Sequence, residues 1–407
     1  MSISVPQSPS LLDMPALKGE NPSPRFSRQS EILDERCLDS IARLPKVLEE
    51  LQAQSLFAVI DATAFTHSGA DRRLAPIFAQ YKTTCFSEFE PNPKLQDVLV
   101  GLKQFRRSKA DVVLAIGGGT AIDIAKLIAA CSTGTQDLLS VINNKESFSG
   151  TEIPLIAIPT TSGTGSEATQ FAVVYVEGVK HSVDHPRLLP SYCVLDPQLT
   201  LALPARITAQ TGLDAFCQAV ESMWSVYSNE VSFEYAREAA ALAFENLAEA
   251  VQNSTPESRQ GMSRASHLAG RAINYSRTTA CHAISYTLTS DFGIPHGHAV
   301  ALTLGPMLEF NAALSEADNN DSRGVIHVQQ SIQQILSIIG CETPEQGRQR
   351  LDDWIRSLGC STRLSEFGIR DRSAIEKIAS GINTERLNNN PRRLTHSQLI
   401  HLLTSIQ

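Results

Sequence analysis

The sequence lacks three features that would each indicate a different class of protein. Its 8 cysteines include no CxxC pair, its net charge is -8 rather than positive, and no apolar run reaches the roughly 18 residues that a transmembrane helix needs. Scattered cysteines in a long chain are typical of reduced thiols in the cytosol. An acidic chain has no general affinity for nucleic acid or for anionic membranes. We therefore expect a cytoplasmic protein that binds neither.

The amino-terminal segment lacks the basic start and the apolar run of a secretory signal. Its proline and serine content predicts a mobile arm over residues 1–28. The chain has 407 residues, and the part after the arm is too long for one hydrophobic core. We therefore expect two domains, one over residues 29–204 and the other over residues 205–407.

Short apolar runs alternate with helical periodicity in the first predicted domain. Helical spacing of apolar residues predicts helices over 38–54, up to Tyr81 and over 95–107, and prolines close an extended stretch over 86–93. Such alternation predicts a parallel sheet covered by helices. The predicted strands are 56–60, 112–116, 155–158 and 192–197.

The second predicted domain has a different pattern of residues. After residue 205, Ala, Leu, Glu and Arg recur at helical spacing to the end of the chain. This pattern predicts an all-helical domain. The cleft between the two domains is the expected binding site.

Two loops that follow predicted strands have the composition of a phosphate-binding site. The glycine loop, residues 117–120, precedes a helix, and the free amides and the dipole of a helix N-terminus favour an anion. The hydroxyl loop, residues 160–166, alternates hydroxyl side chains with glycine. A plain tight turn is the alternative for the first loop. The residues that we assign to a dinucleotide here are Gly117, Gly118, Gly119, Thr120, Thr160, Thr161, Ser162, Thr164 and Ser166.

Asp61, directly after the strand 56–60, bears on the choice of dinucleotide. A carboxylate at this place accepts hydrogen bonds from a ribose diol and repels a 2′-phosphate, which favours NAD(H) over NADP(H). A surface aspartate at a strand end is the alternative. We also assign Asn92, Asp123 and Lys180 to the cofactor site.

Four polar residues of the second domain could surround a metal ion. Asp214 and Gln218 stand four residues apart, which places them on one face of a helix. His282 lies in another helical segment, and His296 follows Pro295. One carboxylate, one amide oxygen and two imidazoles form a plausible ligand set for a divalent ion. Each histidine taken alone is more readily explained as a core or loop residue than as a ligand.

Five motifs occur in one order along the chain and resemble those of the iron-containing alcohol dehydrogenases. The resemblance covers about residues 30–405 and implies a dehydroquinate synthase-like architecture, in which an α/β Rossmann-like parallel-sheet domain precedes an all-helical domain. The motifs are IGGGTAIDIAK (116–126), PTTSGTGSEAT (159–169), LDPQLTLALP (195–204), TGLDAFCQAVES (211–222) and GIPHGHAVAL (293–302).

The resemblance also implies a metal, Fe2+ or Zn2+, bound by Asp214, Gln218, His282 and His296. This chain departs from the family at Gln218, where the family has histidine, and an amide oxygen is a weaker donor. Metal identity and occupancy therefore stay open. Cys217 could offer a thiolate instead, or serve as a small core residue.

The activity that the resemblance implies is NAD(P)H-dependent reduction of a small aldehyde to a primary alcohol, or the reverse, by a homodimer. Residues 277–289 are similar to the branch that reduces phosphonoacetaldehyde. A phosphonate needs paired donors; Arg277 and Thr278 are the main candidates, and Arg187 and Lys180 are further ones. His282 and His298 are the candidate catalytic residues, with His298 as a proton relay. The alternatives are a dehydroquinate synthase-like lyase and a binding or regulatory relative without metal.

Overall fold

The computed structural model describes residues 36–134, 137–382 and 387–407. The predicted arm over residues 1–28 lies outside the described residues. Six strands form one parallel sheet in the order β1-β8-β5-β4-β2-β3, and β6 and β7 form an antiparallel hairpin. The strands are β1 Cys37–Leu38, β2 Ser55–Ile60, β3 Lys82–Phe86, β4 Val112–Gly117, β5 Leu155–Pro159, β6 Phe171–Val176, β7 Val179–Asp184 and β8 Tyr192–Val194.

The central strands are buried on both faces, because their side chains are apolar at successive positions. In register, Ile60 pairs with Ile116, and Gly117 pairs with Pro159. The carboxyl ends of β2, β4 and β5 therefore meet at one edge of the sheet. Asp61, the glycine loop and the hydroxyl loop all follow at that edge.

Helices cover both faces of the sheet. The predicted helix over 38–54 is shorter, because Leu38 pairs in β1 and the helix begins at Leu44. The helix predicted up to Tyr81 is interrupted at Gly69, whose left-handed backbone ends one helix and precedes the next. The helices of this region are α1 Leu44–Glu50, α2 Ala62–His67, α3 Ala70–Gln80, α4 Leu95–Ser108, α5 Gly119–Cys131 and α6 Leu138–Ile142.

From Ala205 onward the described chain is helical, around a hydrophobic core to which the first of these helices contributes Leu213, Phe216 and Trp224. No helix of the described residues is long and apolar enough to cross a membrane. Cys37–Gln407 forms one compact unit, and the bounds given above for two domains stay a prediction. These helices are α7 Ala205–Trp224, α8 Glu230–Gln252, α9 Pro256–Ser276, α10 Ala280–Phe292, α11 His296–Ala312, α12 Val325–Ile338, α13 Pro344–Ser357, α14 Arg372–Ser380 and α15 His396–Ser405.

Candidate active site

The glycine loop connects β4 to α5 and faces the hydroxyl loop. Gly118 occupies the N-cap position of α5, and no side chain caps the free amides of the first turn. A Cβ on Gly118 would lie 3.3 Å from Oγ1 of Thr161, and one on Gly119 would lie 3.0 Å from the Thr164 side chain. Helix amides without a cap, lined by glycine and threonine, form a site that fits an anion.

Several of the residues assigned to the cofactor hold the hydroxyl loop in place. Ser166 donates to Asp123 over 2.6 Å, and the backbone N–H of Val173 donates to the same carboxylate over 3.0 Å. Ser162 shares a hydrogen bond of 3.0 Å with Ser263 of α9. The hydroxyl of Thr160 is buried and has no protein partner in the described chain. Asp123, Ser162 and Ser166 therefore have structural partners already.

Asp61 and Asn92 both lie next to the glycine loop. Asp61 caps α2 by accepting a hydrogen bond of 3.0 Å from the backbone of Ala64. The backbone N–H of Asn92 donates to Oγ1 of Thr120 over 3.3 Å, and both residues line the cavity described below. Asn92 thus contacts the glycine loop directly, whereas Asp61 is not among the residues that line the cavity.

The four predicted metal ligands converge in the helical region, and we call them the Asp214 cluster. Asp214 and Gln218 lie on α7, His282 on α10, and His296 is the first residue of α11. Oδ1 of Asp214 is 3.4 Å from Nε2 of His282 and 3.7 Å from Nε2 of His296. Cys217 is instead part of the hydrophobic core.

Three atoms of the Asp214 cluster are buried without a hydrogen-bond partner. They are Oδ1 of Asp214, Oε1 of Gln218 and Nε2 of His282, while Nε2 of Gln218 donates to the carbonyl of Thr164 over 3.3 Å. Buried polar atoms in folded proteins are almost always paired. Carboxylate and imidazole atoms of Asp214, His282 and His296 lie within 4.8 Å of one another. The ligand types and the buried atoms without hydrogen-bond partners both fit a bound cation.

A close helix contact brings His296 to Asp214. Gly297 follows His296, and a Cβ there would lie 1.9 Å from the carbonyl oxygen of Gln210 and 2.8 Å from Cβ of Asp214. Only glycine allows α11 to start this close to α7.

Glu221 fixes the orientation of His282, a role that its position in the sequence did not predict. One of its oxygens accepts from Nδ1 of His282, and the other accepts from the Thr279 hydroxyl over 2.7 Å and from the Cys281 amide over 2.8 Å. Because Glu221 accepts from Nδ1, Nε2 is the nitrogen that faces Asp214, and a bound metal ion would take the place of the Nε2 proton. Burial disfavours the charged form of His282, but Glu221 and Asp214 outweigh it and raise its pKa to about 10.

The other ionisable groups of the cluster also have shifted pKa values. Burial acts to raise the pKa of Asp214, but His296, His282 and Lys180 outweigh it, and the net effect lowers that pKa. The pKa of His296 falls to about 3, because burial in the cavity wall outweighs the attraction of Asp214. Asp214 is therefore ionised and His296 neutral at pH 7, as ligands of a metal must be.

One cavity of about 570 Å³ reaches from the glycine loop to the Asp214 cluster. Lys180 of β7 enters it with Nζ 3.9 Å from the centre of the Tyr286 ring, and that ring stacks on His296 at 6.0 Å. Thr278 lines the cavity as well. Arg277 also lines it, but its guanidinium is paired with Asp184.

Two predicted residues lie elsewhere. His298 does not line the cavity, and its Nε2 donates to the carbonyl of Ser361 over 2.7 Å, so it is poorly placed for the proton relay that we expected. Arg187 donates to the carbonyl of Gly150 over 2.8 Å and pairs with Glu152 at 3.2 Å, away from the cavity lining. The position of Arg187 therefore gives no support for its predicted contact with the substrate.

The hairpin β6–β7, which carries Lys180, was missed in the sequence. Its turn, Glu177–Gly178, has positive φ at both residues (50° and 83°), and β-branched residues flank it. Such a two-residue turn is a recognised hairpin signal. Tyr286 gave no separate signal, because its position depends on the packing of α10.

Comparison with known proteins gives concordant matches. The model of the iron-containing alcohol dehydrogenases matches residues 37–197, and that of the C-terminal region of the Fe-containing alcohol dehydrogenase family matches 208–407. Phosphonoacetaldehyde reductase of Streptomyces viridochromogenes is 37% identical over 76% of this chain and 80% of its own. Long-chain-alcohol dehydrogenase 1 of Geobacillus thermodenitrificans is 29% identical over 83% and 85%.

A solved structure agrees in fold. Sulfoacetaldehyde reductase of Bifidobacterium kashiwanohense, solved in complex with NAD+, superposes with a TM-score of 0.81 at 28% identity, over 91% of this chain and 96% of that one.

Proposed function

Because the chain belongs to the iron-containing alcohol dehydrogenase family, we propose that it reduces a small anionic aldehyde to a primary alcohol, or catalyses the reverse. Phosphonoacetaldehyde is the specific candidate, and 2-hydroxyethylphosphonate is its product. The observation that carries the proposal is the shared cavity, into which both the glycine loop and the Asp214 cluster open. A cofactor and a substrate carbonyl could meet in that space.

The Asp214 cluster is our candidate for the metal ligands. Its unpaired buried atoms would be costly unless a cation pairs with them. Nitrogen and carboxylate donors suit Fe2+ or Zn2+, and the amide oxygen of Gln218 makes this site weaker than one with a third imidazole. Glu221 would keep the His282 lone pair directed at the ion.

The glycine loop is our candidate for the pyrophosphate site. The uncapped amides of α5 and the glycines at 118 and 119 leave room for a phosphate at the helix N-terminus. Asp61 follows β2 at the same edge of the sheet, and its carboxylate would repel a 2′-phosphate. We therefore propose NAD(H) as the preferred cofactor.

Lys180 is our candidate for binding an anionic head group. Its ammonium lies in the cavity beside Tyr286, close enough to Asp214 to lower the pKa of that carboxyl, and no described carboxylate forms a salt bridge with it. Arg277 is the weaker candidate, because Asp184 already neutralises it. The relatives named for phosphonoacetaldehyde and sulfoacetaldehyde also act on aldehydes with an anionic head.

The chain's own residues would act mainly by binding and orientation. When bound, NADH supplies a hydride and the divalent ion a Lewis acid. Lys180 would hold the head group, while the Asp214 cluster would fix the position of the carbonyl end. The proton that reduction consumes would come from water, because His298 is bonded outside the cavity.

The test compares two aldehydes of similar size, phosphonoacetaldehyde and propanal, in an NADH oxidation assay. Lys180→Met should lower kcat/KM for the phosphonate by about tenfold to a hundredfold, as expected for the loss of a charge-assisted contact of about 1.5–3 kcal/mol. Propanal turnover should change little, and Lys180→Arg should retain most activity on the phosphonate.

Three outcomes would contradict parts of the proposal. A wild type with equal kcat/KM on both aldehydes would remove the anionic substrate. Activity that survives exhaustive chelation would remove the metal. No NADH oxidation with any aldehyde would remove the reductase function itself.

A further inference from the structure

A second group of metal-ligating side chains lies at the edge of the parallel sheet. Cys37 on β1 and Cys193 on β8 are register partners in a parallel pair. Their Sγ atoms are 3.0 Å apart. The two thiols thus face each other at the edge strand, and neither residue belongs to the Asp214 cluster.

Helix α9 and the end of the hydroxyl loop add two further ligand groups. Nδ1 of His267 is 3.9 Å from Sγ of Cys193 and 3.4 Å from Oε1 of Glu167. Cys193, His267 and Glu167 are buried, and Cys37 is partly exposed. The ligand atoms of the two cysteines and His267 all lie within 4.8 Å of one another.

We propose that Cys37, Cys193 and His267 bind a thiophilic divalent ion such as Zn2+, with Glu167 as the fourth ligand. Two thiolates, an imidazole and a carboxylate are all groups that Zn2+ accepts. Bonds of about 2.0–2.3 Å to a tetrahedral ion place neighbouring ligand atoms roughly 3.3–3.8 Å apart. The distances from His267 are already close to this range, and the two Sγ atoms need to separate by less than about 1 Å.

A disulfide between the two cysteines is the competing interpretation. It would explain the proximity of Cys37 and Cys193, but it would leave the buried His267 and Glu167 paired only with each other. The cation Arg271 lies nearby, but its guanidinium packs 4.1 Å from the centre of the Tyr235 ring. A metal ion uses the three clustered groups and can draw in the Glu167 carboxylate beside His267, whereas the disulfide uses two.

The site would have a structural role. Its ligands come from β1, β8, α9 and the hydroxyl-loop end, where Glu167 follows the Ser166 that donates to Asp123. The hydrogen bond between the two thiols and burial raise the pKa of Cys193 well above its ordinary value. An ion would therefore have to displace thiol protons, and its affinity should increase with pH.

The test is Co2+ titration of the reduced, metal-free full chain. Thiolate bound to Co2+ gives a charge-transfer absorption in the near ultraviolet, which nitrogen and oxygen ligands do not. We expect this band to saturate in the wild type and in Asp214→Ala, whose Asp214 cluster is disabled. Cys37→Ser and Cys193→Ser should lose it, and Cys85→Ser, which removes an exposed thiol on β3, should keep it.

A thermal melt with and without Zn2+ separates loss of the site from loss of the fold. Zn2+ should raise the melting temperature of Asp214→Ala but not that of the double variant Asp214→Ala, Cys193→Ser, because Cys193→Ser alone keeps the Asp214 cluster. The proposal falls if reduced wild type gives no thiolate band. If peroxide then converts the two thiols of such a protein to a disulfide and water, the disulfide is the correct interpretation. Both results are independent of aldehyde turnover.

Discussion

Replacement of Glu221 by Gln probes how the protein orients a metal ligand. The carboxylate accepts from Nδ1 of His282 and from donors of Thr279 and Cys281. In Glu221→Gln the side-chain oxygen can still accept from the Thr279 hydroxyl and from the Cys281 amide. The side-chain NH2 group therefore faces Nδ1 of His282. The neutral form of His282 would then carry its proton on Nε2, the nitrogen that faces Asp214, and would have no lone pair there for a metal ion.

The size of the effect can be worked out. Loss of such a supporting hydrogen bond typically lowers metal affinity by about tenfold to a hundredfold. A ligand at about 100 times its Kd stabilises the folded state by about 2.7 kcal/mol. At the same free metal concentration, the weakened site would contribute only about 1.4 to 0.4 kcal/mol.

The assay is a competition titration of Zn2+ against a chromogenic chelator, together with urea unfolding of the metal-free and metal-loaded protein. Glu309→Gln is a matched control, because Glu309 pairs with Arg348 away from the cluster. Equal Zn2+ affinity in Glu221→Gln and wild type would refute the tautomer argument. A loss of stability that is the same without metal would show that Glu221 serves only the fold.

Three further substitutions have definite expectations. Gln218→His should tighten Zn2+ binding, measured by the same competition, because imidazole is a stronger donor than the unpaired amide oxygen; unchanged affinity would place Gln218 outside the ligand set. Asp61→Gly should raise kcat/KM with NADPH relative to NADH, and the lost helix cap should lower the free energy of unfolding by about a few tenths of a kcal/mol. A wild type that already prefers NADPH would contradict this prediction. Gly118→Val should weaken NADH binding without unfolding, since its backbone has negative φ, and intact NADH affinity in calorimetry would mean that the glycine loop is only a turn.

Much of the architecture was accessible from the sequence, because buried parallel strands leave a plain signal. The apolar runs at 56–60, 112–116 and 155–158 are confirmed as strands within one residue at each end. The fold class and the iron-containing alcohol dehydrogenase family are confirmed too. The helix predicted over 38–54 was too long, since pairing of Leu38 with Val194 is a long-range contact that local periodicity does not encode.

The site was predictable only as separate pieces. Motif order brought Asp214 and His282 into one candidate set, but the support from Glu221 depends on how α7 and α10 pack. Arg277 was favoured over Lys180 for the substrate, because its pairing with Asp184 could not be seen before the hairpin was known. Charge partners across 93 residues of sequence are set by tertiary structure alone.

The contact at Gly297 separates two properties of the Asp214 cluster that can vary independently. The spacing of α7 and α11 is set by backbone against backbone, so it does not depend on which side chains act as donors. A change of donor at position 218 can therefore alter the preferred metal and leave the frame intact. Any side chain at 297 would instead push the helices apart and disturb every donor at once. The scaffold thus tolerates a change of ligand chemistry but not of ligand spacing.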